Sequence, residues 1–96
     1  MTITNKNEAN KAAVLERLSA VRSALQKEPQ NAAVTRALEQ CDRLEVAIQQ
    51  FHAEGLRFAA FTLLRMMFAQ GTVFTEPVHI ATQNLKSALE TAGYPH

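Results

Sequence analysis

Residues 56–69, LRFAAFTLLRMMFA, constrain this chain more than any other stretch. Wound as a helix, the segment carries apolar residues on every side, and its only charges are Arg57 and Arg65. All five phenylalanines, Phe51, Phe58, Phe61, Phe68 and Phe74, fall in or beside it, together with Met66 and Met67. A helix that is apolar all round is ordinarily buried all round, in a core, a membrane or an interface between chains. A membrane span takes about 20 apolar residues with few charges. Fourteen residues interrupted by two arginines fall short of that, so no span is expected. Burial in protein remains. A chain of 96 residues buries only about 60–65% of the surface its unfolded form exposes, so wrapping such a helix from within is tight. A second copy of the chain would ease it.

Around this centre the remaining apolar residues recur at helical steps. Val14, Leu18, Val21 and Leu25 are spaced four, three and four apart, the seam of a helix packed along another helix. That pattern predicts a first helix from about residue 8 to 27, capped by Asn7 or Asn10, with residues 1–7 as a frayed polar start. Pro29 disfavours helical geometry at Glu28 and marks the first turn. Val34, Leu38, Cys41, Leu44, Ile48 and Phe51 then give a second amphipathic helix over about 30–53, and so short a connection predicts an antiparallel hairpin. Gly55 reads as the residue past the end of that helix, with Phe51 and Leu56 making the apolar contact of a Schellman ending. The alternative is one continuous, kinked helix over about 30–70, roughly 60 Å long, which only a partner chain could bury.

The third helix, about 56–70, stops at Gly71, and Thr72, Val73 and Phe74 form a connector. Thr75-Glu76-Pro77 is a helix start: a hydroxyl cap, a carboxylate at the positive end of the dipole and a proline in the first turn. Val78, Ala81, Leu85, Ala88, Leu89 and Ala92 form the inner stripe of a fourth helix over 76–92, with Thr82, Asn84, Lys86, Ser87 and Glu90 on its polar side. Gly93 and Pro95 end it, and Tyr94 is placed to pack back on Leu89. No strand signal and no strong internal repeat is present. The expected fold is all-α: a single domain over residues 8–96, a small antiparallel bundle of four helices, expected as a dimer.

Charge and cysteine content narrow the function. Ten basic and nine acidic side chains give a net charge of +1 without a basic block, so the electrostatic footprint of a nucleic-acid binder is missing. Cys41 is the only cysteine, which excludes an intrachain disulfide and a four-cysteine zinc site and fits a reducing compartment. The polar start, MTITNKNEANK, lacks the apolar core of a signal peptide, so a cytoplasmic location is expected.

Four constellations bear on chemistry. Glu76-x-x-His79 puts a carboxylate and an imidazole on one helix face, the half-motif of di-metal four-helix bundles. The matching place, Gln49-x-x-His52, has an amide instead. His52-Ala-Glu-Gly55 is similar to the histidine site of phosphorelay bundles, but its spacing is one residue short and the lysine of that motif is absent. Cys41 falls on an apolar stripe and reads as a small core residue, with no base near it along its own helix. Arg57 and Arg65 must either reach solvent along their stems, toward Asp42, Glu45 or Glu54, or serve an interface; Arg65, a turn from Phe61 and Phe68, is placed to cover an aromatic face. No glycine-rich phosphate loop, serine elbow or convergent acid pair occurs. The general look is that of small helical chaperones and adaptors of bacterial secretion systems, a likeness of type carried by no specific motif.

The expectation is a non-enzymatic interaction protein without a cofactor. Its partner is itself or a partner helix, met through Phe58, Phe61, Leu64, Arg65, Met67 and Phe68. The alternative is a small-molecule- or metal-binding bundle using His52, Glu76 and His79.

Overall fold

Each apolar stripe becomes a helix that buries it. The computed structural model describes residues 4–50, 52–68 and 74–94, with side chains placed from residue 9 onward. Four helices follow in order, α1 (Thr4–Gln26), α2 (Ala32–Gln50), α3 (Ala53–Phe68) and α4 (Glu76–Ala92), and no strand occurs among the described residues. The expected stop at Gly71, the connector residues Thr72 and Val73, the contact of Phe51 and the role of Pro95 lie outside the described residues. No helix among the described residues is long and apolar enough to cross a membrane.

The helices run up and down as a bundle. α1 packs on both α2 and α4, most extensively on α4; α3 packs chiefly on α2 and least on α4. The Cα radius of gyration is 13.2 Å, close to the value near 13 Å that a compact chain of this length takes. At the centre lie Val14, Leu18, Val21 and Leu25 of α1, Val34, Cys41, Leu44 and Ile48 of α2, Leu56, Leu63 and Met67 of α3, and Val78, Leu85 and Leu89 of α4.

The helix ends correct several of the sequence expectations. α1 begins at Thr4, ahead of Asn7 and Asn10, because no glycine or proline interrupts that stretch. α2 begins after Pro29, at Ala32, because Asn31 caps it: its Oδ1 accepts the Val34 N–H at 2.9 Å.

α2 and α3 are separate helices that fold back on each other, so the continuous helix over 30–70 is excluded. Gly55 does not end α2. It lies in the first turn of α3, three residues after His52, whose Nδ1 accepts the Gly55 N–H at 3.1 Å while its carbonyl accepts the Leu56 N–H at 2.7 Å. A histidine thus fills the place that Ser, Thr, Asp or Asn takes at most helix starts.

α4 has the expected bounds and ends as expected. Gly93 adopts φ 73°, the left-handed conformation a glycine enters without a Cβ penalty. The Gly93 and Tyr94 amides donate to the carbonyls of Glu90 (3.1 Å) and Leu89 (2.9 Å), a full Schellman closure, and Tyr94 is buried in the same core as Leu89. Its start differs in one respect. Thr75 is the cap residue, but its hydroxyl makes no capping bond; it donates to Glu28 Oε2 at 2.8 Å, and the Thr75 N–H donates to Glu28 Oε1 at 3.0 Å. The buried Glu28 carboxylate, from the α1–α2 turn, therefore does the reciprocal part of a capping box across 47 positions of sequence. Thr82, expected on the polar side, is fully buried, and its hydroxyl is satisfied by donating to the Val78 carbonyl one turn back at 2.8 Å.

Candidate functional site

Residues 56–68 are not buried all round. α3 has an inner stripe of Leu56, Ala60, Leu63 and Met67, all shielded from solvent, flanked by the buried Ala59 and Leu64. Its opposite side presents Phe58, Phe61 and Phe68 at 68%, 51% and 41% exposure. The split follows from helical geometry. At about 100° per residue, Glu54, Phe58, Phe61, Arg65 and Phe68 fall within about 80° of arc, centred about 150° away from the inner stripe. The spacing along this outer line is four, three, four and three residues, the same seam pattern that α1 and α2 use to pack inside the bundle.

The predicted interface set therefore divides. Phe58, Phe61, Arg65 and Phe68 share the outer line, whereas Leu64 and Met67 pack in the chain's own core, Met67 wholly and Leu64 for all but a sliver of its surface. Two further large apolar residues are exposed, Val46 on α2 and Ile80 on α4. Val46 and Phe58 border one shallow groove between α2 and α3; Glu54, Arg57, Phe58 and Phe61 surround a second hollow on α3 itself. Gln40, buried at the floor of the first groove, has an Nε2 without a hydrogen-bond partner. At the other end of α3, the Phe68 ring stacks on His79 of α4, with centroids 6.4 Å apart and planes inclined by 19°.

Two of the three acidic partners that the sequence offered to Arg57 and Arg65, Asp42 and Glu45, are taken by another arginine. Arg22 of α1 donates through Nη2 to Asp42 Oδ1 at 3.0 Å and to Glu45 Oε1 at 2.8 Å, joining α1 to α2. Burial alone would pull the Arg22 guanidinium down, but the hydrogen bond and charge of Glu45, with the charge of Asp42, outweigh it and hold the group above its ordinary value. Arg57 and Arg65 are exposed and form no ion pair among the described residues.

The histidine and thiol sites do not assemble. His52 lies at the α2–α3 turn and caps α3, while Glu76 and His79 lie at the start of α4. The sixteen residues of α3, about 24 Å of helix, hold the two places at opposite ends of the bundle. Glu76 is exposed, and the His79 ring is occupied against Phe68. Among the described residues no group of three or more His, Cys, Asp or Glu is placed to hold a metal ion. Burial pushes the Cys41 thiol up to about 12, with Arg22 pulling it back only in part, which leaves it without the thiolate character of a nucleophile.

The sequence reading named Phe58, Phe61, Arg65 and Phe68 but did not separate them from the inner stripe, because residues 54–68 carry two seams at once and hydropathy alone does not say which seam a core will take. The polar residues that accompany the outer seam, Glu54 and Arg65, are the signal that marks it. Compared with protein-family models, with curated proteins and with solved structures, the chain matches none.

Proposed function

We propose that this chain is a non-enzymatic protein–protein interaction module whose docking surface is the outer face of α3. One observation carries the reading: three phenylalanines stand exposed along a single helix face at packing-seam spacing, although the same helix already buries a complete inner stripe. Singly exposed apolar residues are ordinary, but an aligned aromatic row rimmed by charge is the composition of an interface centre. Its form, aromatic anchors at i, i+3 and i+10 on one helix face, suits a partner helix laid along it. A cytoplasmic setting, which a single buried thiol fits, belongs to this reading.

The test compares the native chain with the double variant Phe58→Ser/Phe61→Ser. Both positions are mostly or half solvent-facing, so the variant keeps its helicity and unfolds within about 2 kcal/mol of the native chain. The native chain is expected to associate, with a second copy or with a helical partner retrieved from its source cells, and the variant with neither. Equal association by the two chains overturns the proposal.

A further inference from the structure

The outer seam of α3 is self-complementary. When two copies of a helix pack antiparallel about a two-fold axis, positions equidistant from one midpoint face each other. The midpoint of Phe58 and Phe61 falls at the Ala59–Ala60 peptide bond, and the midpoint of Glu54 and Arg65 falls at the same bond. One axis at that level therefore sets Phe58 of each copy against Phe61 of the other, and Glu54 of each copy against Arg65 of the other. Parallel pairing does the reverse. It sets Glu54 on Glu54 and Arg65 on Arg65, a repulsive contact at each end.

We infer that the occupant of this face is a second copy of the chain, docked antiparallel through α3 with a Phe58–Phe61 cluster at its centre and Glu54–Arg65 ion pairs at its ends. The inference rests on reading that face as a docking surface, and charge complementarity selects the occupant. Within one chain Glu54 and Arg65 are exposed and form no ion pair among the described residues. Each suits the dipole of its own helix, the acid in the first turn and the base in the last, and antiparallel docking keeps that benefit while opposing the two dipoles. The hollow bounded by Glu54, Arg57, Phe58 and Phe61 is centred between residues 57 and 58, the level that the same axis brings opposite residues 61 and 62. Phe61 of the second copy thus enters it. A face one helix wide is smaller than the roughly 800 Å² per partner of a standard interface, so Val46, which borders a groove with Phe58, widens the contact and the pair dissociates on dilution.

The experiment is sedimentation equilibrium of the full chain across a concentration series, for the native protein, Glu54→Arg, Arg65→Glu and the double variant Glu54→Arg/Arg65→Glu. The native chain is expected to dimerise reversibly. Each single variant sets like charges together and weakens the dimer about tenfold or more, and the double variant, with the pairs restored in reverse, returns to within about threefold of native. As a second readout, Glu54→Cys mixed with Arg65→Cys forms a disulfide-linked dimer on oxidation, and neither variant does so alone; the buried Cys41 does not compete. A native chain that stays monomeric, a double variant no better than the single ones, or efficient crosslinking of either cysteine variant alone overturns self-docking. The docking-surface reading fails separately: it falls only if Phe58→Ser/Phe61→Ser also leaves every association of the chain unchanged.

Discussion

Met67 and Phe61 lie six positions apart on one helix and face opposite worlds. Met67 has no solvent exposure, while half of Phe61 is open to water. Met67→Arg is expected to unfold the chain, since an unpaired charge in the core has neither solvent nor a counter-ion, whereas Phe61→Arg should leave the melting curve nearly in place and abolish association only. Circular dichroism melts beside solution mass separate the two outcomes. Cys41 makes a second residue-level prediction. Its thiol is raised from an ordinary 9.0 to about 12 in the fold, so the native state holds the proton that the unfolded chain gives up. This contribution is fully present below pH 9 and is lost as pH climbs from 9 through 12, at up to roughly 1.4 kcal/mol per unit. Between pH 8 and pH 10.5 the denaturant midpoint of the native chain should fall by more than that of Cys41→Ala, so the lead that the native chain holds at pH 8 from its larger side chain narrows. The inertness of this cysteine was legible in the sequence because it sits on the stripe of Val34, Leu44 and Ile48. Its neighbour Gln40 was not legible: a buried amide with an unpartnered nitrogen follows from how α2 is rotated, which no hydropathy pattern sets.

At the scale of elements, what could be read depended on whether the stop and start signals were local. α4 has the bounds expected from Thr75-Glu76-Pro77 and from Gly93, because a fixed proline φ and a left-handed glycine act within one turn of chain. The α2–α3 link was misread for the converse reason. Its cap is a histidine, and its glycine belongs to the helix that follows, where a Cβ would come within 3.1 Å of the His52 Nδ1. Because that nitrogen accepts the Gly55 N–H, the neutral ring carries its proton on Nε2. His52→Ala should therefore cost about 1 kcal/mol, and His52→Asn, whose side-chain oxygen can replace the acceptor, should recover most of it. Urea titrations of the two variants distinguish a capping role from one in which the ring only packs, since asparagine would not restore packing.

For the molecule as a whole, helix number, order and the inner stripes of α1, α2 and α4 were legible, whereas the way the helices surround one another was not. Nothing in the stripe of Val14, Leu18, Val21 and Leu25 tells that its most extensive contacts are with the last helix and not the next one. That placement also leaves α3 at the side of the bundle, with one face turned outward. The contact between α1 and α4 carries a consequence for the order in which the chain is made. During synthesis α1 emerges first, and the helix it packs on most emerges last, some 50 or more residues later, a wait of several seconds at roughly 5–20 residues per second. Until then Glu28 has no Thr75 to hold, and α2 alone covers the α1 stripe. The nascent chain spends those seconds with one side of α1 uncovered, and the four-helix architecture can close only once α4 has emerged.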